Sequence, residues 1–421
     1  MNVRLLYGRG ELEVRLPEGC EPTVIEKPAM PVIEDPAAAV AASLDGGGLE
    51  TAAAGARSAC LLICDITRPV PNRLFLRPLV ERLERAGVPR AAITVLVATG
   101  LHRPNLGDEL AEVVGDPWVL EHVPVVNHYA RNDADHVDLG RTRRGTPIRL
   151  DRRFVEADVR IATGLVEPHF MAGYSGGRKV ISPGIAHAET ITTFHNHRFM
   201  SDPCAENCVL DGNPLHREQL EILERIGGAL ALNTVIDDRR RLAFVNFGDC
   251  RESHLDAVAF VRRFAEVTLP RRFATVVTSA AGYPLDKTYY QTVKGMVGAL
   301  GALEDGGDLI VASECSEGLG STEYRDAQRR LVAAGPDAFL AGISGKPHAD
   351  IDEWQTQMQT RSLARGRISL FAGGLSSSDR ALTGVGSAAS VERAVAESMA
   401  RHRDLRIAVI PEGPYVIPRA A

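Results

Sequence analysis

The sequence predicts an α/β protein of two domains with largely parallel sheets and an active site in the inter-domain cleft. Three observations predict it. Short, nearly continuous apolar runs alternate with segments of helical spacing, the sequence form of parallel strands buried on both faces. The alternation restarts after about residue 266, which divides the 421 residues into 1–268 and 269–421 with a joint near Pro270; that length suits two or three domains. Finally, the apolar runs of the first half end in polar, titratable residues, at the sheet edge where open α/β sheets place their ligands.

In chain order, VRLLY, Gly8-Arg9-Gly10 and ELEVRL predict a hairpin over 1–16. Residues 35–58, rich in Ala and Gly around Gly46-Gly47-Gly48, predict a weak, broken helix without chemistry. ACLLICDI, from Ala59, predicts a buried strand ending at Thr67-Arg68-Pro69, and LVERLERAG follows with helical spacing and a Gly stop. AAITVLVATG is a second strand, ending at Thr99-Gly100-Leu101-His102-Arg103, and ADVRIATGLV a third, ending at Glu167-Pro168-His169. In the second half, FATVVTSAAGYP and GDLIVASECSEGLGS read as strand and loop. TYYQTVKGMVGALGAL reads as a helix packed through small residues, and RISLFAGG and LRIAVIPEG as further strands. No repeat of fixed period is present.

Composition narrows the function. Hydrophobic residues make up 45% and charged residues 24%, which excludes wholesale disorder, collagen, a coiled-coil rod and a disulfide miniprotein. Acidic residues outnumber basic ones 54 to 48, for a formal charge of −6, against the basic excess of a duplex binder. The basic cluster Arg239 to Arg241 follows Asp237 and Asp238 and reads as a solvated loop. Seven cysteines, an odd count, imply no disulfide framework. The N-terminus lacks the apolar core of a signal peptide, and no apolar run approaches the ~18 residues that span a bilayer. The expectation is a cytoplasmic protein with neither nucleic-acid nor membrane partners.

The densest chemistry lies in EPHFMAGYSGGRKVISP, Glu167 to Pro183. Gly173, Gly176 and Gly177 allow backbone close to a ligand, where their N–H groups can cradle a phosphate. A nucleotide P-loop fails, because Arg178 replaces its last Gly and Val180 its Ser or Thr. Gly173-Tyr174-Ser175-Gly176-Gly177 fits G-x-S-x-G and leaves a serine hydrolase open, although the strand ends near Val166, well short of Ser175. A third reading is a loop holding an anionic cofactor, with Lys179 doing more than pairing with it. The bland alternative for Lys179 is a phosphate contact or a solvated side chain, and a non-catalytic binder of a nucleotide-like ligand also stays open.

His102 and His169 stand at strand ends, and imidazole titrates near neutral pH as acid or base. His195 and His197 precede Cys204 and Cys208, which raises structural zinc; Pro203 and the missing second Cys pair point to packing instead. Asp65, Thr67 and Arg68 put a carboxylate and a guanidinium at another strand end, to grip a carboxylate or merely to shape the turn. Tyr290, Gln291 and Lys294 begin a helix, with Gln291 and Lys294 on one face, for an anion or for solvent.

Taken together, DITRPVP (65–71), TGLHR (99–103), EPHFMAGYSGGRKVISPG (167–184), FHN (194–196) and GYPLDKTYYQTVKG (282–295) resemble the nickel-dependent lactate racemase family. The resemblance implies a racemase or epimerase of a short 2-hydroxy acid. It implies a nickel-pincer nucleotide, pyridinium-3,5-bisthiocarboxylic acid mononucleotide nickel, bonded covalently to Lys179 and supplied by cofactor-maturation enzymes. His195 then matches the protein ligand of the nickel, and His102 and His169 the two acid/base histidines. Arg68, Tyr290, Gln291 and Lys294 match the substrate-holding set, with Arg68 and Lys294 also stabilising developing charge. Asp65, Thr67, Ser175, Gly176 and Gly177 fall around the cofactor. Asn72 to Phe75, just after DITRPVP, become candidates for the substrate's far end.

The chemistry gives such a set a reason. The C2 hydrogen of a 2-hydroxy acid is poorly acidic, so it leaves more easily as hydride while a base takes the hydroxyl proton. The 2-keto acid is planar at C2, and hydride returned to the other face inverts the centre. Both enantiomers must lose and regain a hydroxyl proton, which suits two bases on opposite sides.

Overall fold

A computed structural model describes residues 1–420. Two six-stranded sheets organise the chain. The first runs, in spatial order, Leu242–Asp249, Leu230–Ile236, Val159–Leu165, Ala59–Cys64, Ile93–Ala98 and Val125–Asn127. All its pairings are parallel except that of Leu230–Ile236 with Leu242–Asp249. The second runs Gly386–Ser387, Gly366–Phe371, Leu303–Ala312, Phe273–Ser279, Arg406–Ile410 and Glu21–Val24, all parallel. Ala59 to Ile63 are all buried, which is why that strand reads as one apolar run rather than an alternation.

Register positions the site. Cys64 pairs with Ala98 and Leu62 with Ala162, so the three predicted strands of the first half end together. The segments that follow, opening at Asp65, Thr99 and Val166, therefore emerge on one edge. Opposite them the Tyr289–Gly298 helix packs through small residues as expected: a Cβ on Gly295 would stand 2.5 Å from the Ser279 carbonyl oxygen.

Three features depart from the sequence reading. Leu230–Ile236 and Leu242–Asp249 are strands it did not pick out. The basic cluster between them is the hairpin turn, where the Asp237 carboxylate accepts from the N–H groups of Arg239 and Arg241. The division at 268/269 does not hold for the N-terminus. Glu21–Val24 is the outer strand of the second sheet, and the Asn2–Tyr7/Gly10–Arg15 hairpin buries Val3, Leu5 and Val14 against Val277, Ile310 and Val395. A two-stranded hairpin cannot bury its own apolar face, so it takes the nearest sheet that offers one. Asn72 to Phe75 face away from the site, with the Asn72 amide donating to the Val113 carbonyl and Phe75 buried in the first half's core.

One core joins the two sheets, running from Leu62 and Ala162 through Phe170 and Tyr289 to Val276 and Val311. Among the described residues no helix is long and apolar enough to cross a membrane.

Candidate active site

The shared edge and the Tyr289–Gly298 helix enclose a cavity of about 140 Å³. Asp65, Thr67, Arg68, His102, His169, Ser175, Gly176, Lys179, His195, Tyr290, Gln291 and Lys294 all line it. Segments far apart in sequence thus supply one wall each. A mouth of about 340 Å³ shares Asp65, His102 and Tyr290 with it. Gly177, expected at the cofactor, does not line the cavity. It caps the start of the short Arg178–Ile181 helix with φ +49°, and a Cβ there would meet the His254 Cβ at 2.8 Å and its ring at 2.9 Å, so the glycine serves packing behind the loop.

The two end-of-strand histidines are held in opposite senses. His102 Nδ1 lies 2.6 Å from the buried Asp65 carboxylate, whose other oxygen accepts from the Thr67 hydroxyl at 2.6 Å. Burial opposes the Asp65 charge, but His102 and the two hydrogen bonds outweigh it and lower the pKa. The Nδ1 proton therefore points at Asp65 and leaves the His102 Nε2 lone pair free. His169 Nδ1 instead accepts from the backbone N–H groups of Ala172 at 3.2 Å and Met171 at 3.4 Å, so its neutral ring carries the proton on Nε2. Burial, with Lys179, Arg68 and Lys294 nearby, holds His169 well below the usual histidine range.

Lys179 is half-buried and walled in by protein. Burial first, then the Arg68 and Arg178 charges, pull its pKa down to about 7. Among the described residues its amine has no carboxylate partner, so it is an available nucleophile near neutral pH. Lys294 is shifted well down by burial and by Arg68 and Lys179, and its ammonium lies 5.9 Å from the Phe170 ring centre. Arg68 pairs with Glu167, which outweighs the burial that opposes the Arg68 charge. The Gln291 side-chain oxygen is buried without a partner.

His195 is 6% exposed, and burial lowers its pKa to about 3. Its Nδ1 lies 2.9 Å from the Ile191 carbonyl, one turn back on the helix it caps, so Nε2 stays unprotonated as a metal ligand requires. The Trp354 and Phe194 rings pack beside it at 5.0 and 4.4 Å. Among the described residues no three His, Cys, Asp or Glu side chains gather as a metal group, Cys204 and Cys208 included. His195 therefore stands without a cluster of further His, Cys, Asp or Glu donors among the described residues.

Ser175 lines the cavity but is no nucleophile. Its hydroxyl donates to the Leu165 carbonyl at 2.8 Å and accepts from the Glu167 N–H at 3.0 Å. Both hydroxyl functions serve the backbone, and no imidazole or carboxylate stands as base, so the hydrolase reading is corrected.

Sequence reasoning missed Glu167 as a partner, and Asp352, Trp354 and Gln355 as walls. Gln355 donates to the Tyr290 carbonyl at 2.5 Å, and Trp354 Nε1 to the Tyr290 hydroxyl at 3.2 Å, fixing that tyrosine. The Glu353–Arg365 helix opens EWQTQMQT, whose polar pattern reads as a solvated face, yet all eight residues are buried. A run of uncharged amides without a charged face was the available signal.

The chain has relatives among known proteins. Residues 7–207 match the family model for the lactate racemase N-terminal domain, and 271–417 that for the C-terminal domain. The chain is 32% identical over 384 residues to a lactate racemase of Thermoanaerobacterium thermosaccharolyticum, covering 88% of this chain and 87% of that one. It is 30% identical over 374 residues to a lactate racemase of Lactiplantibacillus plantarum, with the same coverage of 88% and 87%. The lactate racemase apoprotein structure from T. thermosaccharolyticum superposes with a TM-score of 0.89 at 29% identity, covering 100% of both chains. A Thermotoga maritima protein shares the fold at TM-score 0.68 and 16% identity, covering 89% of this chain and 97% of that one.

Proposed function

From the premise that the chain belongs to the lactate racemase family, we propose that it interconverts the enantiomers of a short 2-hydroxy acid, lactate or a close relative. The supporting observation is the convergence, in one cavity, of an unpaired Lys179 amine, a ligand-ready His195 and the two oppositely held histidines. These residues fit a nickel-pincer nucleotide. Lys179 would hold it covalently, His195 Nε2 would ligate the nickel, and Asp65, Thr67 and the Gly176 backbone would flank it. Such a group, when bound, accepts and returns a hydride.

The remaining work falls to the chain. Arg68 and Lys294 grip the substrate carboxylate, and Gln291 and Tyr290 close around it. His102 Nε2 takes the hydroxyl proton of one enantiomer, with Asp65 stabilising the imidazolium. His169, which holds its proton on Nε2, donates a hydrogen bond to the substrate oxygen from its own side, and the proton taken by His102 returns to that oxygen once hydride has returned to C2. Arg68 and Lys294 stabilise the oxygen as its charge changes. Enclosure in the cleft keeps the 2-keto acid from escaping between the two transfers. A cytoplasmic setting, with maturation enzymes supplying the cofactor, completes the proposal.

Protein co-produced with those maturation enzymes and offered a panel of single-enantiomer 2-hydroxy acids tests it. Optical inversion of at least one acid, absent without maturation, is expected. Ligand retention with no inversion of any acid would favour a non-catalytic binder.

A further inference from the structure

We infer that Glu167 is a positioning residue of this site: from outside the reaction cavity it fixes Arg68 in place for the substrate carboxylate and offsets its charge. The inference rests on the proposed carboxylate-gripping role of Arg68.

Placement is the first observation. Arg68 lines the reaction cavity, but Glu167 does not. Both line a small gap behind it, of about 10 Å³, and Glu167 also lines the larger cleft of about 350 Å³ beyond. The carboxylate therefore engages the guanidinium through Nη1 from outside the reaction cavity. Both side chains are largely withdrawn from solvent, at 13% and 8% exposure, so removing one partner leaves the other charge uncompensated.

Glu167 is itself anchored. Its N–H donates to the Ser175 hydroxyl at 3.0 Å, and its carbonyl accepts from the Ser175 N–H at 2.9 Å. Ser175 belongs to the loop that carries Lys179. One rigid chain thus runs from the loop through Glu167 to Arg68, setting the carboxylate grip relative to the lysine.

Charge is the second observation. Arg68, Lys179 and Lys294 share the cavity wall, and of the three only Arg68 has a carboxylate partner among the described residues. Without Glu167, Arg68 would be free to reorient, and its charge would bear without that offset on the neighbouring Lys179 and Lys294 amines.

The test compares Glu167→Gln and Glu167→Asp with the unaltered protein, all matured, using kcat, KM, intact mass and thermal melting. Glu167→Gln should raise KM for the hydroxy acid at least about tenfold, lower kcat by a smaller factor because Arg68 also bears on the developing charge, and keep the Lys179 adduct. Glu167→Asp, which retains the charge, should restore much of the lost KM. If Glu167→Gln does not fold, a raised KM at retained kcat in Glu167→Asp supports the inference. An unchanged KM in the folded variants, or a fall in kcat alone, overturns it. A merely structural Glu167 would lower the melting temperature and yield and leave KM in place. Failure of the unaltered protein to invert any hydroxy acid would defeat the functional reading itself, a separate result.

Discussion

Replacing Lys179 by Met should make the cofactor-free protein more stable at neutral pH. A lysine ordinarily titrates near 10.5, and burial with the Arg68 and Arg178 charges brings this one to about 7. The folded pKa lies below the unfolded one, so between the two the unfolded chain binds more proton. Stability therefore falls as pH drops from about 10.5 to about 7 and levels off below, at about 1.4 kcal/mol per pH unit. Over the full 3.5-unit window the penalty approaches about 5 kcal/mol, an upper figure because the amine borders a cavity that admits water. Methionine matches the length of the side chain and cannot bind the proton. Urea denaturation of both apoproteins at pH 6, 7, 8 and 9 measures the difference. Its advantage should be largest at pH 6 and 7 and shrink by about 2–3 kcal/mol by pH 9. A difference that is flat with pH, or a less stable variant at pH 7, would refute a neutral, nucleophilic Lys179.

Other perturbations separate the remaining roles. Asp65→Asn should lower kcat about 10–100-fold while intact mass still reports the Lys179 adduct, because His102 loses the carboxylate that sets its tautomer. His195→Ala should keep the organic adduct by mass, because the lysine holds the cofactor, but release nickel faster to a chelator by elemental analysis, because the metal loses its imidazole. Ser175→Ala should lower stability by about 1–3 kcal/mol in denaturant melts and raise KM, with inversion still measurable; total loss of activity in a well-folded variant would revive the nucleophile.

Legibility followed the local signal. Strands buried on both faces announce themselves as apolar runs, and register then forces their polar ends together, so Asp65, His102 and His169 could be assigned to one edge before any contact was known. Glycine-rich backbone was harder. Gly176 and Gly177 look equivalent in sequence, but consecutive residues of a turn face different ways, and only one reaches the cavity. Ser175 carried a misleading motif, since a hydroxyl flanked by glycines reads the same whether it attacks a substrate or braces a loop. The N-terminal hairpin was legible as a hairpin but not as a partner of the second sheet, because which apolar face it covers is decided by tertiary packing. Glu167 was visible as a residue and invisible as a partner of Arg68, which lies 99 positions away.

The most direct test of the central claim is the fate of the C2 hydrogen. Matured protein would be given a single enantiomer of a 2-deuterated hydroxy acid in ordinary water, and both enantiomers analysed by mass after partial inversion. Hydride transfer with proton exchange confined to the hydroxyl predicts deuterium kept at C2 in substrate and product alike. Progressive loss of the label to solvent during inversion would mean that C2 loses a proton, and would contradict the account.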